Sequence, residues 1–129
     1  MLFRSTGSAN AVDMISANVY DAYGREQIKY LPSPANNTGG NTSIADGKFK
    51  INPFAQQATF CGVQYAGESY YYGKTNFEPS PLNRPTESYA PGISWVGSEA
   101  TTKRSVKMGY YVNNATDAVR IWTDRKSVV

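Results

Sequence analysis

The stretch "VYDAYGREQIKYLP", residues 19–32, decides how the rest of the chain is read. Asp favours the first corner of a type I turn and Gly supplies a positive φ at its far end, so Asp21-Ala22-Tyr23-Gly24 is a tight reversal. The second flank alternates, with Gln27, Lys29 and Leu31 on one side and Glu26, Ile28 and Tyr30 on the other. That is the period of a half-buried strand. The segment predicts a β-hairpin with one mixed, partly covered face.

The same order returns in "FEPSPLNRPTESYAPG", residues 77–92. Arg25 to Tyr30 and Arg84 to Tyr89 are both five residues apart, and Arg25 to Pro32 and Arg84 to Pro91 are both seven. The front halves differ, since Tyr20 precedes Arg25 by five residues and Phe77 precedes Arg84 by seven. Asn83 takes the place of Gly24, and Asn is the best non-glycine occupant of the left-handed region. Two copies 59 residues apart read as an internal repeat of one structural unit. A third pair of aromatic-rich strands is expected around the Asn-Asn-Ala-Thr-Asp turn of "VKMGYYVNNATDAVRIW", residues 106–122.

Between the copies, "PSPANNTGGNTSIADG" (32–47) has the composition of a long loop. "NPFAQQATF" (52–60) predicts one short helix, with Asn52 as N-cap, Pro53 at its first position and Phe54, Ala58 and Cys61 on the face turned to a sheet. "VQYAG" and "ESYYYGKTNFE" read as strands broken at Gly67 and Gly73, and a Pro91-Gly92 turn leads to Trp95. The expected fold is mainly β, built of consecutive antiparallel hairpins, with one helix near 52–60 and a loop over 32–47. Strand-rich chains with a turn every ten or so residues belong to sandwiches, barrels or stacked β repeats.

The two ends, "MLFRS" (1–5) and "DRKSVV" (124–129), read as translated sequencing adapters, which would leave residues 6–123 as the biological part. The raw nucleotide record tests that expectation. The ends also carry most of the charge: Arg4, Arg125 and Lys126 against Asp124 supply +2 of the net +3. A nucleic-acid partner needs a clustered positive surface, and the one local cluster, Lys103, Arg104 and Lys107, reads as a solvated face. "MLFRSTGSANAVDMI" has no long apolar core of a signal peptide, and no apolar run is long enough to span a bilayer.

Catalytic chemistry finds little footing. The chain contains no His, which removes Ser-His and Cys-His activation together with the commonest metal ligand. Cys61 stands alone and reads as a small buried hydrophobe, so no cofactor or metal site is expected. A carboxylate pair could serve a glycosidase, with Glu68, Glu78, Glu87 and Glu99 as candidates, but no motif draws two of them together. The rings of Tyr70, Tyr71, Tyr72, Trp95, Tyr110, Tyr111 and Trp122 could form a sugar platform. Strand side chains alternate faces, however, so a Tyr triplet cannot present three rings on one side, and core packing is the preferred reading.

With these residues in place, "VYDAYGREQIKYLPSP" and "FEPSPLNRPTESYAPGISWVGS" resemble the bacterial Rhs/YD-repeat proteins, and more narrowly the uncharacterised domain near the N-terminal side of their repeat array. The resemblance covers roughly residues 17–123. Tyr20, Asp21, Gly24 and Arg25 match the repeat motif directly, and Phe77, Glu78, Asn83 and Arg84 match a degenerate form with an insertion. Tyr30, Pro32, Tyr89, Pro91, Gly92 and Trp95 complete the structural set. The resemblance implies a large, secreted or surface-associated parent whose hairpins spiral into a hollow shell, in many members around a C-terminal toxin. Toxin and self-cleavage regions lie outside these residues, so the implied role is a non-catalytic wall segment. Its implied partners are the remaining YD repeats of the parent and an enclosed toxin domain, with no nucleic acid and no membrane insertion.

Each hairpin has an apolar face that it cannot bury alone. The isolated chain is therefore expected to be marginal and to associate; a monomer melting cooperatively above about 60 °C, high for a mesophile domain, counts against this. The alternative from another class is a carbohydrate-binding β module that uses Trp95 and exposed tyrosines.

Overall fold

Turn chemistry and short alternating runs give short antiparallel strands, and the computed structural model describes them over residues 2–4 and 12–117. The strands are β1 (Leu2–Arg4), β2 (Asp13–Ile15), β3 (Asn18–Tyr20), β4 (Glu26–Tyr30), β5 (Ser33–Pro34), β6 (Tyr72–Phe77), β7 (Pro85–Tyr89) and β8 (Val106–Lys107), with one helix, α1 (Pro53–Gln64). They form a three-stranded sheet in the order β1-β2-β5 and a five-stranded sheet in the order β3-β4-β6-β7-β8, every pair antiparallel. The mainly β expectation with one short helix holds.

Four details of the sequence reading need correction. The helix runs to Gln64, one turn beyond the expected end, so "VQYAG" supplies its last residues and a turn closed at Gly67 rather than a strand. Asn52 does not cap it with its side chain: at φ 50° the backbone is left-handed, the Asn52 carbonyl accepts from Ala55 and Gln56, and the side-chain amide turns to Gly39 O at 3.3 Å. The loop over 32–47 is interrupted by β5, because Ser33 and Pro34 pair with Ile15 and Met14. Gly73 is no break but an interior residue of β6. A Cβ there would lie 3.2 Å from the Tyr89 carbonyl oxygen, so glycine permits the close approach of β7. Of the expected third hairpin, the first strand is cut to β8, Val106–Lys107, with Tyr110 and Tyr111 in irregular backbone beyond it, and the second strand lies outside the described residues.

The helix buries a face that periodicity alone did not reveal. Its buried residues are Gln56, Gln57 and Cys61, whereas Ala58 is exposed and Phe54 is 45% exposed with its ring 4.8 Å from that of Tyr30. Gln57 Nε2 donates to Leu31 O at 2.6 Å and to Tyr71 O at 3.1 Å. It ties the helix to the ends of β4 and β6, whose backbones meet at Leu31 N to Tyr71 O. Most buried polar groups are hydrogen-bonded. Replacing Gln57 by Leu leaves the half-buried Leu31 O without its donor, while Tyr71 O keeps Leu31 N, so thermal melting should fall by roughly 3–5 °C; an unchanged melt would show that the two bonds contribute nothing net.

A second anchor joins the loop over 44–50 to β2. Asp13 is fully buried, its Oδ2 accepting from Gly47 N and from Lys50 Nζ, both at 2.8 Å, and the Lys50 side chain is only 2% exposed. Asp46, at the loop surface, is the second carboxylate on the same ammonium. The backbone of Asp13 also donates to Ile44 O and accepts from Ala35 N. One residue thus binds β2, β5 and the loop together.

Among the described residues the buried apolar set is small: Ile15, Ala35, Cys61, Tyr89 and Val96. Against it stand large apolar side chains left in solvent, among them Phe49 at 93%, Val63 at 85% and both Tyr111 and Val112 at 92%. Burial pushes the Cys61 thiol above its ordinary range, which suits a packing role and opposes nucleophilic use. No helix among the described residues is long and apolar enough to cross a membrane.

Candidate functional site

The two repeated segments close their hairpins in the same way. In the first, Asp21 N donates to Arg25 O and Gly24 N donates to Asp21 O, with Gly24 at φ 76°. In the second, Glu78 N donates to Arg84 O and Asn83 sits at φ 55°. The acid then returns to its own arginine: Arg25 Nε lies 2.6 Å from Asp21 Oδ2, and Arg84 Nε lies 2.8 Å from Glu78 Oε1. The register slips at the same place in both, between Val19 and Tyr20 and between Asn76 and Phe77, so Tyr20 faces Glu26 as Phe77 faces Pro85. These are bulges that raise the local twist at matching points.

Left-handed geometry explains the Gly and the Asn, and it gives a graded expectation. An added Cβ at Gly24 meets nothing within 4 Å, so Gly24→Ala isolates the backbone strain and should cost about 1 kcal/mol. Asn83→Gly should be neutral or slightly stabilising for the same reason. Urea unfolding of both variants checks the pair, and equal effects would mean that φ does not govern these corners.

Each arginine also leaves its own hairpin. The Arg25 guanidinium lies 4.8 Å from the centre of the Phe77 ring, with Tyr23 at 5.0 Å, and its Nη1 donates to Glu78 O at 3.0 Å. Arg84 lies 4.9 Å from the centre of the Tyr110 ring. The strand pairing makes these two contacts equivalent. Lys74 pairs with Ile28 and Lys107 with Glu87; Ile28 and Glu87 follow their arginines by three residues, and Phe77 and Tyr110 follow their lysines by three. The guanidinium that closes one hairpin therefore stacks on a ring of the neighbouring segment, Phe77 at the end of β6 for Arg25 and Tyr110 beyond β8 for Arg84, a cation–π contact.

Electrostatics holds these corners ionised. Burial raises the Asp21 carboxyl, but the backbone and side-chain hydrogen bonds from Arg25 and the Tyr23 amide outweigh it and leave it below the usual range. The Arg84 and Ser80 hydrogen bonds lower Glu78 likewise, with Ser80 Oγ at 2.5 Å from Oε1. Carboxylates so held are structural acceptors that do not release or take protons near neutrality.

The remaining expected residues divide. Tyr30 stacks between Phe54 and Tyr72, whose ring lies 5.1 Å away, and Tyr72 meets Tyr70 at 5.9 Å. Tyr89, only 2% exposed, is the corresponding core tyrosine of the second hairpin. There the likeness ends, because Pro32 leads into β5 while Pro91 and Gly92 lead into a turn, with Gly92 at φ 114° and its amide donating to Tyr70 O. Trp95 is 48% exposed after that turn. The tyrosine triplet splits, Tyr71 donating its hydroxyl to Glu68 O at 2.6 Å while Tyr70 and Tyr72 pack edge to face.

A family profile described as "Domain of unknown function (DUF6443)" matches residues 3–108, a span that takes in both hairpin corners. The chain belongs to the DUF6443 family. No curated protein and no solved structure matches it. The arginine corners and Lys74, whose pairing defines the repeat, therefore all lie inside the DUF6443 match.

Within this DUF6443 domain, the carboxylates that sequence left scattered are partly gathered. Glu87 Oε2 and Glu99 Oε1 both accept from Asn76 Nδ2, at 3.3 and 3.0 Å, and Lys74 Nζ lies 2.6 Å from Glu99 Oε2. Burial raises the Glu99 carboxyl, but hydrogen bonds from Lys74 and Asn76 prevail and hold it below its ordinary range. Glu68 Oε2 accepts from Ile93 N at 2.7 Å beside an open cavity of about 160 Å³ lined by Leu31, Tyr65, Tyr70 and Tyr71. Sequence reasoning missed the Glu87–Asn76–Glu99 cluster; Asn76 and Glu87 face each other across β6 and β7, and register is the signal that would have found it.

Proposed function

We propose that this DUF6443 chain is a non-catalytic wall segment of a large, secreted or surface-associated YD-repeat protein, helping to build a β shell around a C-terminal toxin domain. The observation that carries the reading is the repeated corner, in which acid, left-handed residue and arginine close one hairpin and the arginine stacks on a ring of the neighbouring segment. A unit bonded mainly to its neighbours is the construction of a solenoid. The small core and the large apolar side chains left in solvent suit a part that other hairpins cover. Each carboxylate that could serve an enzyme is engaged in a structural bond, which favours a scaffold over a catalyst.

The test is to recover the coding sequence flanking the chain and count Tyr-Asp-x-x-Gly-Arg units beyond Thr123. A long array ending in an unrelated domain is expected. A stop or a different fold soon after Trp122 would instead favour a compact carbohydrate-binding module. That second reading rests on the exposure of Trp95. It predicts saccharide-dependent quenching that disappears in Trp95→Phe, whereas a wall segment gives no response.

A further inference from the structure

Three aromatic residues occupy the ring position of the repeat, and two of them carry an arginine. Phe77 lies under Arg25 and Tyr110 under Arg84. Tyr20 is the third, since it follows the same register slip and precedes the acid Asp21 as Phe77 precedes Glu78. Tyr20 is 57% exposed at the end of β3, and β3 is an edge of the five-stranded sheet. Among the described residues its one sheet neighbour is β4, which lies on the side opposite the place that β4 takes beside β6.

We infer that Tyr20 and the free edge of β3 form a seat for an antiparallel strand that directly follows an arginine-closed turn, supplied by a neighbouring hairpin of the same type in the parent polypeptide. This rests on the wall-segment reading and adds the chemistry of the contact. The two internal precedents define that chemistry. A strand pairs with this edge in the sense that β4 pairs with β6, but over residues 16–20 only, because β1 already holds the edge at Ile15 through Leu2. The arginine before it stacks on the ring, and in the first precedent it also donates to the carbonyl of the following acid, Glu78 O at 3.0 Å. Asp21 O is the corresponding acceptor here. A guanidinium satisfies both demands because it is planar, stacks on a ring face and keeps in-plane donors free. Lysine satisfies only the charge.

The probe is a synthetic peptide with the sequence of residues 19–32, titrated to millimolar concentration into the isotope-labelled full chain and followed by the amide signals of residues 18–21. Those signals are expected to shift, with binding weakened about three- to tenfold by Arg25→Gln in the peptide. Tyr20→Ala in the protein should weaken it by the same factor, and Tyr20→Phe should leave it intact. Because Tyr20 is exposed, these variants fold normally on the inference, and matching spectra away from β3 verify it. Binding at β3 that ignores both the arginine and Tyr20 would overturn the arginine seat while leaving strand addition, and the shell reading, in place. No shift at β3 with either peptide would overturn both. Concentration-dependent shifts at β3 without peptide, abolished by Tyr20→Ala, would assign the seat to a second copy of this chain and overturn the assignment to a neighbouring hairpin.

Discussion

Lys50→Met is expected to lower the melting temperature by roughly 10–20 °C, the scale on which losing one partner of a buried ion pair acts. The reason is the company that Lys50 keeps: its side chain is 2% exposed and its ammonium touches Asp13, which is fully buried, as well as Asp46. Methionine keeps the volume and leaves a carboxylate in the interior with one backbone donor, Gly47 N. The double variant Asp13→Asn, Lys50→Met removes the stranded charge and should recover a substantial part of the loss. A single variant that melts within about 2 °C of the parent would show that solvent reaches Asp13 and that the anchor is not closed.

The same cluster sets an acid limit. The Lys50 hydrogen bond is the main reason that Asp13 and Asp46 are held down, Asp46 to about 2 against an ordinary 3.8, and Lys50 is raised in turn. A carboxyl whose folded value is depressed contributes stability that is present above its unfolded value and lost as pH falls through the folded one. Stability should thus be flat down to about pH 4 and fall steeply between about pH 4 and pH 2. In Lys50→Met the steep part should weaken, because its principal cause is gone. A parent whose melt is level through that window would contradict the linkage.

The second large effect is expected at Arg25. Arg25→Ala should cost roughly 5–10 °C in melting temperature, and Arg25→Lys most of that, because lysine keeps the charge and loses the fork. Arg84→Ala should cost less. The Arg25 side chain is 11% exposed, bonds Asp21 and Glu78 O, and lies between two rings, whereas the Arg84 side chain is 41% exposed and solvent already weakens its pair. A cycle of Arg25→Ala with Phe77→Leu isolates the stacking contact, which should couple the two sites. Additive effects would mean that the ring and the guanidinium are neighbours without being partners.

How much of this could be read beforehand depends on whether the deciding interaction was local. The corner at Asp21 was legible because turn chemistry acts within four residues, and Asn83 could be matched to Gly24 because few residues tolerate a positive φ. The helix was legible at Pro53 and misread at Asn52, where a left-handed backbone took away the capping geometry that composition promised. The candidate site was half visible. The two arginines were matched by their offsets to Tyr and Pro, but the contact of Arg25 with Phe77 spans two hairpins and depends on register, which single-sequence patterns do not carry. Asp13 and Lys50 were invisible for another reason: both residue types are usually solvated, and nothing nearby in sequence marks them as buried. Gln56 and Gln57 mislead in the same way, as polar residues on the face that packs.

The corners have a consequence for how such a chain can change over time. The acid-to-arginine closure holds the strands in one register across two turn lengths, five residues from Tyr20 to Arg25 and seven from Phe77 to Arg84. Turn length is thereby decoupled from sheet geometry. Each corner is a port at which peptide can be gained or lost without disturbing the strands behind it, so lineages can vary the corner loops while the sheet stays the same.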